Sequence, residues 1–156
     1  DTPLNKNAEI KARAVSMLCD DPVLADDSGL CVDALDGAPG IYTARYGGEN
    51  LKQEERNALL IKNMEVFSED KRTASFVCSI CCILNDEECV DVEGFCEGSI
   101  AYAPSGTDGF GYDPIFLYKD GRCFGDISGE EKDEISHRGV ALRLLKDELI
   151  KRKDVL

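Results

Sequence analysis

Helices and strands interleave along this chain, which predicts an α/β fold with a mixed, curved sheet flanked by helices. Three observations carry that prediction. Apolar residues recur at helical spacing near the amino end, at Ile10, Ala14, Met17 and Leu18. Two β-rich runs, Thr73 to Leu84 and Cys89 to Ala103, flank the turn signal Asn85-Asp86-Glu87-Glu88 and read as a hairpin. A last helical stretch opens at Ser136. The 156 residues suffice for one domain with its own core, taken as 1–156.

Each element follows from local chemistry. Residues 7–18 are expected to form a helix, capped by Asn5 or Asn7 and broken by Asp20-Asp21-Pro22. Val23-Leu24-Ala25 is a short buried strand ending at Asp26-Asp27, and Gly29 to Leu35 a second extended piece. Asp36-Gly37-Ala38-Pro39-Gly40 is a turn cluster, followed by an irregular, aromatic and basic segment from Ile41 to Gly48. Residues 50–65 return to helix, with Leu51, Ala58, Leu59 and Ile61 as its apolar residues. Gly94 and Gly98 within the second β run suggest bulges or curvature. Ile115 to Tyr118 is a strand, and Ser128 to Lys132 starts a short helix or turn. Ile135 and Val140 bracket Ser136 as a hydrophobic staple around a serine cap, and the helix runs to about Arg152.

Composition narrows the function. Hydrophobic residues make up 43% and charged residues 31%, as in ordinary globular proteins. The net charge of −13 argues against binding a nucleic acid polymer, which needs a basic face. A small polyanion remains possible through a few cations and a bound Mg²⁺. No apolar run reaches bilayer length and no leader pattern opens the chain, so no membrane partner is expected. Eight cysteines are present, but Cys78-Ser79-Ile80-Cys81-Cys82 reads as a buried strand rather than a disulfide or zinc framework. Reduced thiols point to a cytoplasmic protein.

Three clusters carry candidate chemistry. Asp26-Asp27-Ser28-Gly29 sets two carboxylates at a strand end, where open α/β sheets place ligands. Adjacent strand residues face opposite ways, so one carboxylate would meet Mg²⁺ or water and the other nearby backbone. Phe110-Gly111-Tyr112-Asp113-Pro114 offers aromatic faces for a base, glycine for close approach, and a carboxylate for ring N–H groups. Ser136-His137-Arg138-Gly139 holds the sole histidine beside an arginine at a helix start, with Lys132 upstream. Cations there oppose the helix dipole and want an electron-rich partner. Lys11, near the edge of the first helix's apolar face, is a candidate phosphate contact. No Ser-His-Asp arrangement and no phosphate-binding P-loop motif are visible. A ring-bearing, charged substrate fits these parts, and a nucleotide fits best.

These motifs together resemble the inosine/xanthosine triphosphate pyrophosphatase family. The resemblance rests on Ala25 to Leu30, Gly37 to Tyr42 with Ala44-Arg45-Tyr46, Gly109 to Phe116, Glu131-Lys132, Ile135 to Gly139, and Asn7-Ala8 with Lys11-Ala12-Arg13. It implies an elongated nucleotide pyrophosphatase domain that hydrolyses non-canonical purine nucleoside triphosphates (ITP, dITP, XTP), with Mg²⁺, to the monophosphate and pyrophosphate. By position it implies Asp27 as general base and metal ligand. It makes Lys11 and Ser28 substrate contacts, Lys11 on the triphosphate. Phe110, Gly111, Tyr112 and Asp113 would hold the base, and Lys132, His137 and Arg138 would complete its contacts. The resemblance also implies a homodimer, for which Tyr42 to Tyr46 is a candidate surface. It further implies an amino-terminal strand and phosphate-gripping loop that these residues do not contain. Two other readings stay open: a non-catalytic nucleotide-binding protein, and a Maf-type pyrophosphatase of different base preference.

Overall fold

The structure, a computed structural model, describes residues 2–153. The elements run α1 (Pro3–Ser16), β1 (Val23–Val32), α2 (Gln53–Met64), β2 (Thr73–Asn85), β3 (Glu88–Ile100), β4 (Phe116–Tyr118), α3 (Gly129–Ile135) and α4 (His137–Lys153), with short 3-10 turns between. The four strands lie in the order β1-β2-β3-β4, each antiparallel to its neighbours. The expected α/β class with flanking helices therefore holds. The sheet of the described residues is an antiparallel meander, and no parallel pair within it makes it mixed.

Strand alternation assigns the helices to the two faces. Even-numbered Cys78, Ile80 and Cys82 of β2 pack with Ala141 and Leu145 of α4. Odd-numbered Cys81 and Ile83 pack with Ala8 and Ala12 of α1 and with Val23. Both faces of β2 are thus covered, which is why its sequence is a nearly unbroken apolar run rather than an alternating one. The largest core continues along the even face: Leu30, Val32, Phe76, Ile100, Phe116 and Phe124 pack with Leu60 and Met64 of α2.

Several local expectations are corrected. Helix α1 begins at Pro3, with Thr2 as its cap; the Thr2 hydroxyl accepts from the Asn5 amide at 3.2 Å. Proline suits the first helical position because its missing N–H has no partner there anyway. The buried face of α1 is Leu4, Ala8 and Ala12, while Ile10, Met17 and Leu18 are exposed. Small residues win because the helix lies close on the sheet. In α2 the buried residues are Arg56, Asn57, Leu60 and Met64, not the apolar Ala58. The Arg56 guanidinium meets the carbonyls of Tyr46, Gly48 and Leu51, so its burial is paired. Residues Val23 to Val32 form one continuous strand, paired from Val23↔Ile83 to Val32↔Ala74. Asp26 and Asp27 therefore sit in mid-strand, not at a strand end.

Gly94 and Gly98 mark close approaches rather than bulges, since the β2–β3 register is unbroken from Thr73 to Ile83. A Cβ on Gly94 would meet the His137 carbonyl and the Ala141 amide. The glycine lets the first turn of α4 rest on β3. Ser136 caps that turn as expected, accepting from the Gly139 amide at 3.1 Å.

Candidate active site

The alternation of β1 divides the two aspartates between the faces of the sheet. Asp26 faces α4, where its Oδ2 accepts from Arg138 Nη2 at 2.8 Å and Nε at 3.2 Å. Asp27 faces α1, where Oδ1 accepts from Lys11 Nζ at 2.6 Å and Oδ2 from Asn7 Nδ2 at 3.1 Å. The Lys11 ammonium also reaches the Asp26 carbonyl at 3.0 Å. Lys11 and Asn7 are four residues apart, so one helix face delivers both to one carboxylate. The different roles expected of the two acids are matched by different partners. Asp26 binds a side chain across the fold, however, and not nearby backbone.

On the α4 side lies a cleft of about 720 Å³. Phe110, Asp113, Lys132, His137 and Arg138 line it, together with Phe124 and Leu142. Its size and its mix of apolar walls with a few polar groups suit a small ligand. Asp113 and Lys132 pair at 3.1 Å, and both side chains are largely buried. The same Asp113 Oδ2 accepts the Phe110 amide at 3.1 Å, closing a short turn that leaves the Phe110 ring 78% exposed. Gly109 sits directly over this pair. A Cβ there would meet Asp113 Oδ2 and Lys132 Nζ, and its φ of +82° belongs to the region glycine favours.

His137 stacks on Phe76, with ring centroids 4.9 Å apart and planes 16° from parallel. Burial, followed by the neighbouring Arg138 charge, lowers its pKa to about 4, with Asp26 opposing. The imidazole is therefore neutral near pH 7 and offers one N–H donor and one acceptor. Among the described residues its Nδ1 is buried without a partner. An orphan polar atom of this kind calls for a partner that a bound ligand can supply. Ser28 Oγ, on the Asp26 face of β1 two residues along, is also buried and lies beside the Cys78 thiol of its paired position on β2.

The residues read from the sequence thus fall into two groups joined at the Asp26-Asp27 peptide. Lys11 and Asp27 form one. Phe110, Asp113, Lys132, His137 and Arg138 form the other, with Gly111 in the turn between Phe110 and Asp113. Tyr112 belongs to neither. Its ring is 3% exposed within the main core, and its hydroxyl donates to the Thr43 carbonyl at 2.6 Å. It anchors the turn from behind through that hydroxyl bond and its core packing. The sequence shows Asp26 only as one of two candidate carboxylates and Asn7 only as a helix cap and part of the family motif; it does not foresee their links to Arg138 and to Asp27. The period-two alternation of β1 and the four-residue spacing to Lys11 are the signals that point to them.

The donor set for a metal is sparse. Among the described residues, no three His, Cys, Asp or Glu side chains are grouped to hold one. Asp27 alone is compatible with Mg²⁺, which takes one or two carboxylates and completes its shell with water and phosphate oxygens. Each Asp27 oxygen accepts one hydrogen bond and keeps a further lone pair. The eight cysteines are free thiols. Cys78 and Cys81 lie on opposite faces of β2, an arrangement in which they cannot share a ligand.

Comparison with known proteins places the chain and its fold. The chain is 45% identical over 150 residues to a dITP/XTP pyrophosphatase of an Exiguobacterium species, covering 96% of this chain and 76% of the relative. The fold matches the Staphylococcus aureus Ham1 protein with a TM-score of 0.90 at 38% identity, covering 97% of this chain and 79% of the other. It matches a HAM1 protein from Coxiella burnetii with a TM-score of 0.89 at 39% identity, covering 97% and 78%. The Ham1 family pattern spans residues 1–148. With the motifs in order and the fold shared, this chain belongs to the Ham1 family.

Proposed function

We propose that this protein is a nucleoside triphosphate pyrophosphatase that hydrolyses non-canonical purine nucleotides, such as ITP, dITP and XTP, to the monophosphate and pyrophosphate. The observation that carries the reading is the junction at Asp26-Asp27. A donor-lined cleft with an exposed aromatic ring lies on one side, and a lysine–carboxylate pair on the other. The names of the similar proteins, dITP/XTP pyrophosphatases, support the same class.

In this reading the purine enters the cleft beside Phe110. Lys132, His137 and Arg138 supply donors to its 6-oxo oxygen, and Asp113 accepts its ring N–H groups. Asp26 and Asp113 hold Arg138 and Lys132 in place, so little side-chain freedom is lost on binding. On the other side Lys11 shifts from Asp27 to the triphosphate. Asp27 then takes the proton of the water that attacks phosphorus. Mg²⁺ held by Asp27 would neutralise phosphate charge and polarise water. Ser28, two residues from Asp26 on the same face of β1, contacts the substrate between the two groups. A cytoplasmic location and a homodimer with Tyr42 to Tyr46 at its interface complete the reading. The exposed Tyr42 ring is compatible with the second.

Pyrophosphate release from ITP in Mg²⁺ is the direct test. Asp27→Asn keeps the shape and should lower turnover by about 10²–10⁴-fold, as loss of a general base does. A variant retaining more than about a tenth of the activity would exclude that role.

A further inference from the structure

A chain of hydrogen bonds runs from α2 to the turn that carries Phe110 and Asp113. Arg56 is 5% exposed and is fixed by the carbonyls of Tyr46, Gly48 and Leu51. Its Nη1 donates to Gln53 Oε1 at 3.2 Å. Gln53 Nε2 donates to Asn57 Oδ1 at 2.8 Å. Asn57 Nδ2 donates to the Gly111 carbonyl at 3.0 Å. Asn57 is itself 5% exposed.

The direction of this relay is dictated at both ends. Arginine can only donate, so Gln53 must turn its carbonyl oxygen toward Arg56 and its NH₂ toward Asn57. A backbone carbonyl can only accept, so Asn57 must turn its NH₂ toward Gly111. The two constraints agree, and neither amide can flip without creating two unsatisfied buried groups. The turn being held is small. Asp113 donates its amide to the Phe110 carbonyl at 3.2 Å, and Gly111 within it has φ +62°. Moving the Gly111 carbonyl moves both the Phe110 ring and the Asp113 carboxylate.

We infer that Asn57 is a positioning residue that sets the Phe110–Asp113 turn and so tunes recognition of the base. The inference rests on the proposed function for its effect on selectivity, but not for the anchoring itself. Among the described residues Asn57 makes no side-chain hydrogen bond to a residue that lines the cleft, so it acts through the turn.

Two measurements on the whole protein decide it. Hydrogen exchange reads the anchor without any substrate. In Asn57→Ala the amides of residues 109–113 should exchange about tenfold faster or more, while those of central β2 stay as in wild type. Gln53→Ala, which leaves Asn57 in place but frees its orientation, should give a smaller effect in the same segment. The ratio of kcat/KM for ITP to that for ATP should then fall about tenfold or more in Asn57→Ala, mainly through KM for ITP. Unchanged exchange at 109–113 overturns the anchor. Faster exchange with an unchanged ratio overturns its role in base recognition. A wild-type protein that does not prefer ITP overturns the proposed function and the selectivity effect together, while exchange still decides the anchor.

Discussion

In the proposed function Arg138 is the residue on which base recognition turns; Asp26 holds its Nε and Nη2. A donor suits the carbonyl of a 6-oxo purine, whereas the amino group of adenine offers hydrogens to a site already rich in them. Arg138→Ala should therefore lower kcat/KM for ITP far more than for ATP, reducing their ratio by about tenfold or more. An unchanged ratio would assign the helix start to phosphate instead. His137 gives the site a pH signature. Its pKa falls from 6.5 in the unfolded chain to about 4 in the folded one, chiefly through burial. Between those values the unfolded chain binds a proton that the folded chain does not. The stability from this group is complete above pH 6.5 and is lost as pH falls toward 4. His137 is the only histidine, so His137→Phe should flatten the fall in urea midpoint across that window. A variant with the wild-type slope would place the proton uptake elsewhere.

At the scale of elements, β2 shows what alternation between two covered faces does to chemistry. Cys78, Cys81, Cys82 and Cys96 are buried within the β2–β3 pair, and burial pushes the Cys81 thiol up to about 12 and the Cys96 thiol to about 11. They are packing groups, not nucleophiles, because the reactive form is the thiolate. Cys19 and Cys89 are exposed. In the native, unreduced protein a thiol reagent should label Cys19 and Cys89 promptly and the buried thiols only after unfolding. Prompt labelling of Cys81 or Cys96, read by mass spectrometry, would contradict the packing of β2. The β2–β3 hairpin itself was legible in the sequence, since its turn residues and β-branched runs are local signals. The buried face of α1 was not. Ile10 and Met17 are the larger apolar residues, but the face turned to the sheet is Leu4, Ala8 and Ala12, because a helix lying this close needs small residues at its centre.

At the scale of the molecule, one buried cation ties the layers together. Arg72 is 1% exposed and donates to the carbonyls of Met64, Ile100 and Ala101 at 2.7, 3.0 and 2.9 Å. Those groups close the end of α2, the end of β3 and the chain just beyond it. Tyr102 lies over the guanidinium, 4.1 Å from ring centroid to Cζ. Arg72→Leu would strip the guanidinium from the buried Ile100 and Ala101 carbonyls, while Met64 keeps its bond from the Phe67 amide at 3.0 Å, and should cost about 2 kcal/mol or more in urea unfolding. Arg72→Lys should recover little of it, because one ammonium cannot span the three acceptors of a planar fork. A loss below about 1 kcal/mol would mean that water replaces the guanidinium.

The sequence alone determined the element types, the hairpin, the serine cap of α4 and the family, because each is written in residues close together in the chain. It also exposed most of the candidate site: Lys11, Asp27, Phe110, Asp113, Lys132, His137 and Arg138 stand out by residue type in short motifs. Only the tertiary structure decided which of these meet. Asp26 finds Arg138 across a sequence separation of 112 residues, and Asn57 finds Gly111 across 54. Tyr112, aromatic and flanked by site residues, is turned into the core instead. Side-chain direction depends on which strand or helix lies behind each position. That is set by the packing of α1 and α4 on opposite faces of one sheet, and no local spacing encodes it.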